Sequence, residues 1–117
     1  MKMLLPLSQE DKDVILFVLP LILRDPDSTE FQKYLDDITI QSISHKFIVT
    51  SERLSPPELS LIFTAVGFAL DVISGAAKSP KLSDLTKNQQ SELVRYRFHL
   101  YKLYSLLEPI VLPVNGS

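Results

Sequence analysis

Residues 54–75 read LSPPELSLIFTAVGFALDVISG, and this stretch decides the fold. Ser55 stands where a helix N-cap is expected, and Pro56 takes the first helical position, where its missing N–H costs nothing. Glu58, three residues after Ser55, completes a capping box. The sequence therefore predicts a helix over residues 56–74.

Both ends of this helix carry further signals. Leu54 before the cap and Leu59 one turn into the helix can pack together as a hydrophobic staple. Gly75 tolerates the left-handed conformation in which many helices end. We therefore expect the helix to begin and end close to these residues.

The polar residues of this helix share one narrow line. At about 100° per residue they span roughly 80° of the circumference. They are Ser60, Thr64, Gly67, Asp71 and Ser74. Every other direction is apolar, so we place the helix at the centre of a bundle, with this line touching water. Two alternatives are that Gly67 admits a closely packed helix or partner backbone, and that Asp71 contacts a ligand.

Length and composition indicate a single helical domain over residues 1–117. The chain has no Cys, so disulfides and thiolate zinc sites are excluded. The apolar run at residues 1–7 is too short for a secretory signal, and no window reaches the ~18 to 20 apolar residues of a membrane span. We expect a soluble cytoplasmic protein that does not bind membranes.

The net charge of −2 is divided unevenly along the chain. Residues 1–58 carry six Lys/Arg and ten Asp/Glu, giving −4, whereas residues 59–117 carry six and four, giving +2. This division favours head-to-tail association or contact between the two ends of the fold. It is too small to predict a nucleic-acid or membrane partner.

The first predicted helix begins at Ser8, with Asp11 three residues later and an acidic first turn. Residues 14–23 follow as VILFVLPLIL, which is apolar on all sides and must be buried or covered by a partner. Pro20 predicts a kink or an early end. A buried strand is the alternative, but the acidic turn favours a helix.

A turn over residues 24–28 leads into a short helix that Asp25 or Ser28 can cap and that ends near residue 37. Its apolar face has helical spacing and comprises Phe31, Tyr34, Leu35 and Ile38. We expect the charged residues opposite to be a solvated surface; they are Glu30, Lys33, Asp36 and Asp37.

Residues 39–50 fit two interpretations. Their β-branched content favours a strand, and a short β-hairpin is the alternative that we retain. A helical stripe also fits, formed by Ile40, Ile43, Phe47 and Ile48. Because no second strand is evident for pairing, we predict a helix.

After a surface loop over residues 76–84, Thr86 and Gln89 form a third capping box, and the last helix is predicted to reach about Glu108. Its seam alternates spacings of three and four and comprises Leu93, Tyr96, Leu100, Leu103 and Leu107. Two heptads are too few for a separate coiled coil, so we predict bundle packing, with a dimer seam as the alternative. Val94, Phe98 and Tyr101 form a second apolar strip.

Together these elements predict an all-α fold, a compact bundle of four to five helices around residues 56–74. Chemistry is sparse. His45 and His99 are isolated in sequence, the three glycines form no phosphate loop, and the carboxylate pairs at residues 11/13 and 36/37 lie in polar surroundings. We therefore expect no enzyme, no cofactor and no metal site.

We expect a small protein–protein interaction module, of the adaptor, inhibitor or immunity type, that binds another protein or itself. Residues 14–23 and 59–73 demand more burial than a short bundle readily supplies. The predicted partner interface comprises Phe17, Leu21, Phe68, Leu93, Tyr96, Leu100, Leu103 and Leu107.

Two alternatives have weaker support. Residues 95–102, RYRFHLYK, interleave basic and aromatic residues as nucleic-acid surfaces do. The possible anion or nucleic-acid contacts are Arg95, Arg97, His99 and Lys102. A nucleic-acid partner is nevertheless disfavoured, because these side chains form a small patch on an acidic chain. A small enzyme without a recognisable motif is the second alternative.

Overall fold

The computed structural model describes residues 7–49 and 53–112, and the regular elements in these ranges are helices. The α-helices are α1 (Gln9–Val18), α2 (Glu30–Ile48), α3 (Pro56–Ser74), α4 (Lys87–Arg95) and α5 (Arg97–Val111). Two 3₁₀ helices, Leu19–Arg24 and Leu82–Asp84, lie between them. The predicted all-α bundle is confirmed. The alternative hairpin is wrong because residues 39–48 belong to α2, while Thr50 lies outside the described residues.

Helix α3 is the centre of the bundle and contacts each of the other four α-helices. Its predicted capping box is present, since Ser55 Oγ accepts from the Glu58 amide at 3.4 Å and the Glu58 carboxylate accepts from the Ser55 amide at 2.6 Å. Gly75 ends the helix with φ of 85°. The side of α3 that faces the bundle is buried; it comprises Leu59, Ile62, Ala65, Val66, Ala69 and Val72.

By length and composition α3 could also cross a membrane, since its mean hydropathy is 1.5 over 18 residues. Among the described residues no other helix meets these criteria. The core helix of a soluble protein meets them equally well, and 44% of this window of α3 is buried inside the bundle. The bundle is therefore consistent with a soluble protein.

The apolar run that begins in helix α1 is mostly buried against other parts of the same chain. Its capping box is formed, with Ser8 Oγ 3.0 Å from the Asp11 amide and the Asp11 carboxylate 2.9 Å from the Ser8 amide. The α-helix ends at Val18 and a 3₁₀ helix carries Pro20, so the predicted early end is confirmed and the strand is not formed. Six side chains of the run are buried: Val14, Ile15, Val18, Leu19, Leu21 and Ile22.

Helix α2 is longer than predicted and is rotated relative to the prediction. It runs unbroken for 19 residues from a Thr29 cap, rather than starting at Asp25 or Ser28 and ending near residue 37. Ile43 and Phe47 are buried, and because residues seven apart share a helix face, they carry Asp36 inward as well. The predicted apolar face therefore points outward.

A buried ionic cluster ties α2 to the start of α3. Glu58 accepts from Lys46 Nζ and from Ser42 Oγ, each at 2.7 Å, while Lys46 also donates to the Arg53 carbonyl at 3.1 Å. Burial raises the pKa of Glu58, but these donors and the Ser55 amide outweigh it and lower the pKa from an ordinary 4.5 to about 2.

The C-terminal helix is divided in two, contrary to the single helix predicted to end near Glu108. The Thr86–Gln89 capping box is confirmed, with both hydrogen bonds at 3.1 Å. Helix α4 stops before Tyr96, whose ψ of −1° interrupts the helical path. Helix α5 then continues through Pro109 to Val111.

The Glu58 cluster predicts a pH-dependent stability. A carboxyl with a depressed folded-state pKa stabilises the protein above its ordinary value, and this contribution is lost as pH falls from 4.5 toward about 2. Glu58→Gln should lower the free energy of unfolding by about 2 kcal/mol at neutral pH. In urea denaturation, the difference from the native protein should shrink steadily across that acid range. Glu108→Gln, at an exposed position, is the matched control; a constant Glu58→Gln effect at all pH values would contradict the assignment.

Candidate functional site

The predicted partner interface lies mostly inside the chain. Five of its eight residues are buried: Leu21, Leu93, Leu100, Leu103 and Leu107. The four leucines of the α4–α5 seam join the core around α3, so the bundle-packing interpretation holds and their assignment to a partner interface is corrected. The remaining three are half-buried. Phe17 packs edge-on against Tyr96 with ring centroids 5.6 Å apart, and Phe68 lies at the surface of α3.

The four predicted anion contacts do not form one basic site. Arg95 pairs with Glu92 at 2.5 Å, and the Arg97 guanidinium lies over the Phe98 ring at 4.9 Å. Lys102 Nζ lies 4.0 Å from Asp11, toward which His99 also turns. Three of the four groups, Arg95, His99 and Lys102, therefore face a carboxylate within the chain.

Asp11 and His99 form a polar link between α1 and α5. His99 Nε2 is hydrogen-bonded to Asp11 Oδ1, and Nδ1 lies 3.4 Å from Glu10 Oε1. Burial raises the pKa of Asp11, but the hydrogen bonds from Ser8 and His99 outweigh it and hold that pKa below its ordinary value. Both ring nitrogens of His99 therefore face carboxylates of α1.

The environment of two carboxylates differs from the prediction. Asp11 and Asp36 are buried, not solvated: Asp11 receives the Ser8 and His99 donors, and Asp36 receives Gln32 Nε2 at 2.8 Å. The capping-box position of Asp11 was the one sequence signal for its role. Among the described residues no group of three or more metal-ligating side chains is arranged to hold a metal ion.

Removing the His99 ring should cost stability. His99→Ala leaves the buried Asp11 carboxylate without one of its donors, so the free energy of unfolding should fall by about 1–3 kcal/mol. His45→Ala makes the same change at an exposed histidine and should stay within about 0.5 kcal/mol of the native protein. Thermal or urea denaturation measures both. Equal effects of the two substitutions would contradict a structural link at His99.

The polar line of α3 lies between two surface grooves. A groove of about 640 Å³ separates α2 from α3, and one of about 500 Å³ separates α3 from α5. Thr64 and Phe68 line both, so the grooves adjoin along α3. Ser60, Thr64, Asp71 and Ser74 are exposed as expected, whereas a Cβ at Gly67 would lie 3.4 Å from the Tyr104 ring. Gly67 thus admits a close neighbour from this same chain.

Four apolar side chains of α2 face solvent and form what we call the α2 stripe. Their exposed fractions are Phe31 69%, Tyr34 63%, Leu35 40% and Ile38 47%. The helical spacing predicted correctly that these four residues share a face. The expectation that this face is buried was wrong, because Ile43 and Phe47 of the same unbroken helix are buried instead. Leu35 and Ile38 also line the α2–α3 groove.

A second exposed group, which we call the α5 strip, comprises Phe98 and Tyr101 of α5 together with Val94 near the end of α4. Phe98 is 75% and Tyr101 53% exposed, and Tyr101 lines the α3–α5 groove. The charged residues that line the two grooves are all acidic: Asp25 and Asp36 in the first, Asp71 in the second. Apolar surface bordered by charge is therefore the principal feature of this side of the molecule.

Comparison with known proteins finds no matching family model, no matching curated protein and no matching solved structure. The candidate site therefore rests on the geometry of this chain alone.

The α2 stripe should contribute almost nothing to folding. Phe31→Ser and Tyr34→Ser should each change the free energy of unfolding by no more than about 0.5 kcal/mol, because both rings are largely solvated. Ile43→Ala, on the buried face of the same helix, should cost about 2–4 kcal/mol. Chemical denaturation of the three variants tests this. A large loss with Phe31→Ser or Tyr34→Ser would mean that the stripe is part of the core.

Proposed function

We propose that this chain is a soluble, cytoplasmic protein–protein interaction module without enzymatic activity, of the adaptor, inhibitor or immunity type. It binds its partner through the α2 stripe and the adjoining α2–α3 groove. The observation that carries the proposal is the exposure of four apolar side chains on one helix face, led by Phe31 and Tyr34.

The proposal rests first on the cost of such a surface. Monomeric soluble proteins seldom expose contiguous apolar patches of this kind, and those that do commonly use them for binding. The stripe also has the i, i+3, i+4, i+7 spacing by which a helix presents anchors to a partner. Phe and Tyr are enriched in the centres of protein interfaces, where they bury large area at little entropic cost.

The origin of the unburied surface differs from the expectation drawn from residues 14–23 and 59–73. Much of both segments is buried within the chain, since six side chains of the first are buried and α3 packs against the four other α-helices. The surface in excess belongs instead to α2. Nucleic-acid binding has less support from the structure than from the sequence alone, because His99 and Lys102 face Asp11, and Arg95 faces Glu92.

Site-specific photocrosslinking in the native host tests the proposal. A photoreactive phenylalanine analogue at position 34 should give a discrete adduct with a protein, and Leu35→Asp in the same chain should remove that adduct. The matched control places the analogue at exposed Asn88 on α4 and should give no such adduct. Identical adduct patterns from positions 34 and 88, or none from position 34, would contradict the proposal.

A further inference from the structure

We propose that the partner of the α2 stripe is a second copy of this chain, in a two-fold symmetric dimer where the α2 stripe of each copy packs on the α5 strip of the other. This inference rests on the proposed function and names its partner.

The α2 stripe is bordered by negative charge. Asp25 and Asp27 precede the helix, and Glu30 and Asp37 lie on its exposed surface. Lys33 lies 3.9 Å from Glu30, so each partly offsets the other, and exposed Arg24 precedes Asp25. Four carboxylates against two cations leave the border of the stripe negative. A surface that binds this stripe should therefore be apolar or aromatic and carry positive charge.

The α5 strip has this composition. Val94, Phe98 and Tyr101 supply the apolar contact, and the Arg97 guanidinium lies 4.9 Å from the Phe98 ring centroid. The neighbouring charges are three exposed cations, Arg95, Arg97 and Lys102, against half-buried Glu92 and exposed Glu10. The strip therefore keeps a net positive charge, although Arg95 and Lys102 each lie beside a carboxylate. The opposite charges of the two surfaces match the uneven charge of the sequence. Residues 1–58, which include α2, have six Lys/Arg and ten Asp/Glu and a net charge of −4. Residues 59–117, which include α5, have six and four and a net charge of +2.

The positions of the two surfaces suit a two-fold axis. Leu35 and Ile38 line the groove on one side of α3, Tyr101 lines the groove on the other, and both grooves share Thr64 and Phe68. A copy rotated by half a turn about an axis that runs parallel to α3, just outside this line, places its α5 strip opposite the α2 stripe. The same rotation makes the reciprocal contact, as a closed isologous dimer requires. The side chains along the line are mostly small, so they leave room for the two α3 helices to approach.

A charge-exchange experiment tests the dimer with purified full-length protein. One variant combines Glu30→Lys with Asp37→Lys, and the other combines Arg95→Glu with Arg97→Glu. Each alone juxtaposes like charges in both contacts and should weaken dimerisation at least about tenfold. An equimolar mixture restores opposite charges in both contacts and should form a heterodimer. Arg53→Glu with Lys81→Glu, at exposed cations that belong to neither surface and line neither groove, is the matched control and should dimerise like the native chain.

Sedimentation equilibrium at micromolar concentrations should report twice the 13.2 kDa chain mass for the native protein, the control and the mixture. Each charge variant alone should report a single chain, with circular dichroism verifying that it is folded. A native monomer, a native dimer insensitive to both variants, or a mixture that stays monomeric would overturn the dimer. A position-34 adduct with a protein of a different mass would overturn it while leaving the interaction function intact; absence of any such adduct would remove both.

Discussion

Helix α3 carries its polar residues along one line only, and the rest of the structure depends on this constraint. Its remaining directions are apolar, so the four other α-helices and the 3₁₀ segment after α1 are arranged around it. Hydrophobic burial of this helix supplies the common core, while its capping box and Gly75 fix where it begins and ends. The residues of this polar line then line two adjoining grooves, one on each side of α3.

Two buried carboxylates fix the other helices against this core. Glu58 joins α2 to the start of α3 through Lys46 and Ser42, and Asp11 joins α1 to α5 through His99. Each carboxylate also closes a capping box, so one side chain orders a helix end and a tertiary contact together. Buried and fully hydrogen-bonded polar groups of this kind fix the relative positions of the helices, which apolar packing alone specifies less sharply.

The exposed apolar surface is a consequence of the same packing. Helix α2 carries apolar residues on two sides, and an unbroken helix can turn only one of them toward α3. Burial of Ile43 and Phe47 therefore leaves the α2 stripe in solvent, beside a groove. A helix with two apolar sides is stabilised when a partner covers the second side. This is the physical basis of the interaction proposed for this chain.

Local signals in the sequence determined the three capping boxes and the end of α1 near Pro20, because each depends on residues within one turn. The helical class and the centrality of α3 followed from the apolar pattern within single segments. Tertiary structure decided the rest. The rotation of α2 and the burial of Asp11 against His99 depend on packing between segments far apart in sequence. The continuity of α2 and the break at Tyr96 are likewise seen only in the folded chain. Periodicity found the apolar face of residues 31–38, but only competition with Ile43 and Phe47 for one core decided that it faces water.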